Sequence, residues 1–227
     1  ASDVYKRQVL ACEFVKKAVR RNQEDRRRYK DHGLYAFSES EGNRVCKFIE
    51  LLTHTKGALA GQKIKLEPWQ VWILTTIFGW RRRSDSGRRF RRVYIEVPRG
   101  NGKSCLSSGV ALYCLLADRE PGAEVYSFAT TRDQAKIVFG DAKQMCVANQ
   151  ALRENFGLEV LANALYVPRT NSTFQAKSAE GSTLDGLNTH FACVDELHAH
   201  KTRAVYDVVE TSMGKRLNSL LLSLIHI

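Results

Sequence analysis

Six segments of the chain predict helices, and in the first two, 9–30 and 43–53, apolar residues recur at helical spacing. The first, over residues 9–30, places Phe14, Val15 and Val19 on one face and ends in the basic run RRNQEDRRRYK. In the third segment, Pro68 is suited to the first turn of a helix and Gly79 to its end. The pattern therefore predicts helices over 9–30, 43–53, 68–79, 104–116, 132–147 and 204–213.

Short apolar runs between these helices predict strands. They cover 93–97, 124–130, the run THFACVD at 189–195 and 219–225, and short strands around a turn are predicted within 164–178. Strands that alternate with helices are typical of a mostly parallel sheet with helices on its faces. The sequence thus predicts an α/β fold in which the strand at 93–97 is buried. We expect an N-terminal helical segment, 1–60, and one main domain, 61–227.

Charge and cysteine usage narrow the class of protein. Lys and Arg number 35 against 24 Asp and Glu, which gives a formal net charge of +11. This excess favours a polyanionic partner, nucleic acid above all. No apolar run is long enough for a membrane span. The six cysteines form no C-x-x-C pair, so they are interpreted as reduced core residues, and neither a zinc site nor a disulfide framework is expected.

The stretch YIEVPRGNGKSCL at 94–106 has the features of a phosphate-binding loop. Glycines let backbone N–H groups point inward, and a lysine at the start of a helix adds a cation. Here Lys103 is expected to reach the β- and γ-phosphates of a nucleotide, Ser104 to bind Mg²⁺, and Arg99 to stabilise charge on the γ-phosphate. Val97 stands where the common pattern has its first glycine, so the match is a variant. The alternative is an ordinary glycine-rich turn.

A pair of acids, Asp195 and Glu196, follows the apolar run FACV. At the end of a strand neighbouring that of the glycine loop, Asp195 would hold Mg²⁺ and Glu196 would orient and deprotonate a water. The alternative is a strand end with solvated carboxylates. His198 and His200 have poor spacing for shared metal binding, and a supporting or packing role is expected of them.

The stretch LEPWQ at 66–70 offers contacts to a base. The Gln70 amide can pair with an adenine edge, and Trp69 can supply a stacking face. Trp69 and Trp72 are equally suited to anchor their helix in the core.

Taken together, these motifs resemble the large terminase subunit of tailed bacteriophages, the motor that packages genome DNA. LEPWQ, FGW, PRGNGKS, ATTRDQA, LDGLN and VDELHAH occur in that family's order over most of residues 9–222. The resemblance implies a P-loop NTPase fold of the RecA/ASCE type. It assigns an adenine motif to Gln70, a nucleotide cradle to Pro98, Arg99, Gly100, Asn101, Gly102, Lys103 and Ser104, a metal acid to Asp195 and a catalytic glutamate to Glu196. Some branches of the family carry a basic residue where Asp185 stands.

The resemblance also implies partners and an activity. ATP and Mg²⁺ are the expected cofactors, and double-stranded DNA, a portal protein and a small terminase subunit the expected partners. A homo-oligomeric ring would act at the portal vertex of the procapsid in the host cytoplasm. The family's coupling motif and RNase H-like nuclease domain are expected beyond these residues, so DNA cleavage is not assigned to them.

Two questions stay open at this level. The arginines of 81–83 and 88–92 are candidates for gripping DNA phosphates, with a solvated basic hairpin as the alternative. A helicase-type ATPase fragment shares the same motifs but would need a second motor domain. A DNA-binding adaptor with a degenerate loop is the non-enzymatic alternative.

Overall fold

A computed structural model describes residues 10–178, 186–200 and 202–225. The chain divides into two compact units: the first comprises Ala1–Cys46 and Leu66–Phe90, the second Lys47–Lys65 and Arg91–Ile227. The predicted domain boundary at residue 60 stays a prediction. None of the helices in the described parts has the length and hydropathy that a membrane span requires.

The first unit combines helices with a two-stranded ribbon. Its elements are α1 (Glu13–Arg28), β1 (Tyr35–Phe37), the first part of α2 (Glu39–Glu50), α3 (Pro68–Gly79) and β2 (Trp80–Arg82). Strands β1 and β2 pair antiparallel. Helix α1 turns Val19, Asn22 and Asp25 inward, and the Asn22 amide donates to the Thr76 hydroxyl of α3 at 2.7 Å.

Aromatic rings and one arginine form the centre of this unit. The Arg89 guanidinium lies 4.2 Å from the Tyr35 ring centroid and 5.1 Å from that of Trp80, and it pairs with the Asp25 carboxylate at 2.8 Å. Because Asp25 and Arg89 are almost fully removed from water, each needs the other as a partner. The pair therefore ties α1 to the segment that follows β2.

The second unit is built on a seven-stranded sheet. Its strands are β3 (Arg92–Glu96), β4 (Glu124–Ala129), β5 (Glu159–Val160), β6 (Leu165–Val167), β7 (Ser172–Ser178), β8 (Thr189–Asp195) and β9 (Leu220–Ile225). They lie in the order β3-β9-β8-β4-β7-β6-β5. Strands β3, β9, β8, β4 and β7 are parallel, and β6 and β5 continue the sheet antiparallel. The predicted α/β class is confirmed.

Helices cover both faces of this sheet. They are α4 (Lys103–Leu116), α5 (Arg132–Val147), α6 (Gln150–Phe156) and α7 (Ala204–Ser212). Val205 and Val209 of α7 pack with Ala192 and Val194 of β8, whereas Cys193, which points to the opposite face, contacts Ser107 of α4. A buried hydrogen bond of 2.7 Å between Asp118 and His190 links the end of α4 to the start of β8.

Most predicted elements are found within a few residues of their expected bounds. The helices over 68–79 and 132–147 match at both ends. The structure adds four strands and helices that were not predicted, β1, β2, β5 and α6, all of which are short. The LDGLN motif begins outside the described residues, since Leu184 and Asp185 both lie there.

Three expectations were wrong. The strand before the glycine loop, β3, lies at the edge of the sheet and buries only Ile95. The strand of the paired acids, β8, does not neighbour β3, because β9 pairs with both. Not every cysteine lies in the core, since Cys12 is exposed. Strand order depends on contacts between distant segments, which periodicity does not encode.

Gly109 of α4 is placed where a side chain has little room. A Cβ atom there would lie 3.1 Å from Cγ1 of Ile49, whereas one at Gly140 of α5 would meet nothing within 4 Å. Gly109→Leu should therefore lower the free energy of unfolding by about 1–3 kcal/mol through overpacking. Gly140→Leu should leave it unchanged or raise it by up to ~1 kcal/mol, because Leu is the better helix former. Urea unfolding followed by circular dichroism compares the two, and equal midpoints would contradict the expected crowding.

Candidate active site

The loop between β3 and α4 has the backbone that its glycines permit. Gly100 has φ +81° and Gly102, the N-cap of α4, has φ +70°. Residues other than glycine rarely adopt a positive φ. The Asn101 amide donates to the Pro98 carbonyl at 3.0 Å and closes the loop. A Cβ atom at Gly100 would meet nothing within 4 Å, and Pro98 and Arg99 are exposed. The loop therefore opens onto free space.

Lys103 and Ser104 form the first turn of α4 behind this loop. The Lys103 side chain is only 13% exposed, and its Nζ makes no hydrogen bond to any residue that the structure describes. The Ser107 hydroxyl donates to the Lys103 carbonyl at 2.8 Å and that of Ser108 to the Ser104 carbonyl at 2.7 Å, which fixes the turn. A buried ammonium group at a helix N-terminus is a strong attractor for an anion.

The paired acids end β8 at the same edge of the sheet. Asp195 stands opposite Leu224 of β9, and Glu96 of β3 stands opposite Ile225. Two strand spacings, about 9.6 Å, separate β3 from β8, and the loop and the lysine side chain span that gap. The Lys103 Nζ lies 3.9 Å from Glu196 Oε1. The structure thus brings together the lysine and the glutamate, although their strands are not neighbours.

Glu196 is held in a left-handed backbone conformation, with φ +50° and ψ +48°. This region is uncommon for a residue other than glycine and costs on the order of 1–2 kcal/mol. The Glu196 N–H donates to Asp195 Oδ1 at 3.1 Å. The turn directs the Glu196 side chain back towards α4, where it is 18% exposed.

Both histidines of the motif contact the acids. Nδ1 of His198 lies 3.5 Å from Glu196 Oε2, and Nε2 of His200 lies 3.3 Å from the Asp195 carbonyl oxygen. These distances suit residues that support the acids, and the supporting role stays a prediction.

These groups fit a nucleotide bound with a divalent cation. The buried Lys103 Nζ lacks a hydrogen bond within the described residues, and a phosphate oxygen would supply one. Ser104 offers a hydroxyl oxygen and Asp195 a carboxylate. Oxygen donors of these kinds are the ligands that Mg²⁺ prefers. The open space at Gly100 leaves room for the phosphates.

Gln70 and Trp69 lie in the first turn of α3, in the other compact unit. Gln70 Oε1 accepts a hydrogen bond of 2.9 Å from the Glu67 N–H, so this side chain caps its own helix. Sequence reasoning missed this role, although an acid followed three residues later by glutamine is the signature of a capping box. The adenine contact stays a prediction.

Several arginines proposed to grip DNA have structural partners instead. Arg88 is fully buried, with its guanidinium 4.5 Å from the Phe78 ring centroid. Arg81 pairs with Glu41 at 3.0 Å, and Arg91 donates to the carbonyls of Met213 and Arg216 at 2.6 and 2.9 Å. With Arg89 held by Asp25, four of these arginines do not form the solvated basic hairpin that was the alternative. Which residues of the set contact DNA stays a prediction. Acidic and aromatic residues far along the chain draw the arginines inward.

Comparison with known proteins identifies the family. The model of the family "Terminase large subunit, ATPase domain" matches residues 68–225. The chain belongs to this family. The match favours the terminase interpretation, and nothing favours the helicase alternative.

Among curated relatives, the terminase large subunit of Enterobacteria phage HK97 is 29% identical over 187 residues, 81% of this chain and 36% of that protein. The large subunit of Lactococcus phage p2 is 22% identical over 92% of this chain and 39% of that protein. This terminase chain therefore spans little more than a third of the length of these relatives.

Solved structures support the same fold. The HK97 large terminase superposes with a TM-score of 0.68 at 28% identity, over 81% of this chain and 37% of that one. A mutant of the Thermus phage P74-26 large terminase ATPase domain has a TM-score of 0.55 at 22% identity, over 72% of this chain and 66% of that one. The terminase chain thus has the P-loop NTPase fold of these ATPase domains.

Cys105 follows the candidate magnesium ligand Ser104, and the pKa of its thiol is raised. Burial, and then the Asp141 carboxylate, raise the pKa of Cys105 to about 11. Because the thiolate is the reactive form, alkylation of Cys105 should be slow at pH 7.5 and rise about tenfold per pH unit until the pH approaches 11. Exposed Cys12 should react first. Iodoacetamide labelling with peptide mass spectrometry measures both rates, and equal rates at pH 7.5 would contradict the expectation.

The strain at Glu196 predicts a difference between two variants. Glu196→Gln and Glu196→Gly both remove the carboxylate beside Lys103, but only glycine relieves the left-handed backbone. The glycine variant should therefore be more stable than the glutamine variant by about 1 kcal/mol. Urea titration of the two proteins gives this difference, and a less stable glycine variant would show that the turn is not strained.

Proposed function

We propose that this chain is the ATPase portion of a phage DNA-packaging motor, which hydrolyses ATP to translocate double-stranded DNA into the procapsid. The observation that supports it most is the approach of the Lys103 ammonium group and the Glu196 carboxylate to 3.9 Å at the carboxyl edge of a parallel sheet. Family membership supplies the context of DNA packaging.

Each residue of the site has a role in this proposal. The loop 98–104 would hold the triphosphate through its main chain at Gly100 and Gly102, and Lys103 would reach the β- and γ-phosphates. Ser104 and Asp195 would hold Mg²⁺, which neutralises phosphate charge when bound. Glu196 orients the attacking water and accepts its proton. The exposed Arg99 stabilises charge on the γ-phosphate in cis.

The base is recognised by the turn that begins α3. The Gln70 carbonyl oxygen caps that helix, which leaves the NH₂ group of the same amide as a donor for an acceptor on the adenine edge. Trp69 provides the stacking face.

The remaining assignments come from the family and extend beyond this chain. They comprise a ring of several copies at the portal vertex, contacts with the portal protein and the small terminase subunit, and action in the host cytoplasm. Several copies around one DNA would let an arginine act across subunits, so a lone chain is expected to hydrolyse ATP slowly.

The test of the catalytic role is Glu196→Gln. This substitution removes the base but keeps the size of the side chain, so ATP affinity should stay within a few fold while turnover falls about a hundredfold or more. Phosphate release measures turnover, and equilibrium binding of a fluorescent ATP analogue measures affinity.

The matched control is Glu154→Gln, which changes the same chemistry at an exposed position of α6. It should behave like the unaltered chain in both assays. If Glu196→Gln hydrolysed ATP at the unaltered rate, the assignment of the base would be wrong. If the unaltered chain bound no nucleotide while folded, the adaptor alternative would replace the motor.

A further inference from the structure

Helix α1 carries a dense set of exposed cations that the ATPase site does not use. Seven of its sixteen residues are Lys or Arg. Val19, Asn22 and Asp25 face inward, so the opposite side faces solvent. At 3.6 residues per turn, five of the exposed cations fall within an arc of about 120° on that side: Lys17, Arg20, Arg21, Arg27 and Arg28.

These cations are partly balanced by the same helix. Its exposed carboxylates, Glu13 and Glu24, fall within the same arc, so five cations less two carboxylates leave a net charge of +3 there. The third acid, Asp25, is buried against Arg89. Arg26 falls outside this arc, and its guanidinium lies 3.7 Å from the Phe37 ring centroid. Within the stripe, Arg21 and Arg28 also lie near rings, 5.1 Å from Phe90 and 5.3 Å from Tyr29. The outer side of α1 therefore presents a net positive stripe, whereas Arg88 and Arg89 of the same unit are withdrawn from water.

We propose that this stripe, defined by Lys17, Arg20, Arg21, Arg27 and Arg28, is a contact surface for the phosphate backbone of duplex DNA. The inference rests on the proposed packaging function and replaces the arginines near β2 as the place of grip. From Lys17 to Arg28 the helix rises about 16 Å, which matches about five phosphates of one strand at 3.4 Å each. Contacts of this kind read charge and not sequence, as translocation requires.

Charge and pattern favour DNA over other partners. A second copy of the chain would bring a further net charge of +11 against the stripe. A lipid surface calls for an apolar side along the helix, but the exposed large apolar residues of α1 are confined to its start, at Phe14 and Val15. A polyanion with regular charge spacing fits the stripe best.

The test uses the whole 227-residue chain and a fluorescent 30-base-pair duplex of random sequence. The variant Lys17→Gln/Arg20→Gln/Arg27→Gln removes three charges from the stripe. Its salt dependence, the slope of log K against log salt, should become shallower by about 2 to 3, and its affinity at 0.1 M salt should fall at least about tenfold. ATP hydrolysis without DNA should be unchanged.

Two matched variants isolate the cause. Lys47→Gln/Arg169→Gln/Lys215→Gln removes three exposed charges from the other unit and should lower the slope by less than 1. Lys17→Arg/Arg20→Lys/Arg27→Lys keeps the charge of the stripe and should bind as the unaltered chain does. It also shows that binding follows charge and not a change in the helix.

The outcomes separate this inference from the proposed function. If both triple glutamine variants lost affinity equally, the stripe would be wrong while the motor stood. If the unaltered chain hydrolysed ATP but bound no duplex, both the stripe and the DNA role of this chain would be wrong, and the catalytic assignment would remain. Binding of anionic vesicles in place of DNA, lost only in the stripe variant, would also overturn the inference in favour of a lipid surface.

Discussion

The site depends on one constraint, the shared register of β3, β9 and β8. Glu96, Ile225 and Asp195 end these strands at nearly the same level, so the glycine loop and the acids leave the sheet at one edge. A shift of register would move the acids away from the loop, and since side chains alternate along a strand, a one-residue slip would also turn them to the other face. The 3.9 Å approach of Lys103 to Glu196 is thus a product of main-chain pairing in β9, a strand that contributes no side chain to the proposed chemistry.

Sequence patterns predicted most of the fold because its long elements carry local signals, such as apolar residues at helical spacing in α1 and α2 and suitable first and last residues in α3. Helix α3 runs from Pro68 to Gly79, between a residue suited to a first turn and one suited to an end. The P-loop and the acids were predicted because both motifs require a strand on one side. Strand order could not be predicted in the same way. The insertion of β9 between β3 and β8 depends on contacts between residues more than a hundred positions apart. The sequence of Leu220–Ile225 indicates only that this strand is apolar enough to be buried, and not which strands it pairs with.

The arginines show a second limit of prediction from sequence. Sequence counts every guanidinium as a surface charge, yet Arg88 is fully buried and Arg89 lies among aromatic rings with Asp25 as its counter-ion. The partners that draw these arginines inward come from α1, β1 and α3. A net charge of +11 therefore overstates the charge near β2, and within the described residues α1 presents a concentrated basic surface. Position in the fold, and not the number of cations, decides which of them can meet a polyanion.

The edge position of β3 affects how copies of the chain can associate. An edge strand offers unpaired main-chain groups to any other strand, and such edges lead to aggregation unless they are protected. Here Arg92 and Glu96 are exposed at the two ends of β3, and the strand is only five residues long. Continuation of the sheet from one molecule into the next is thereby discouraged.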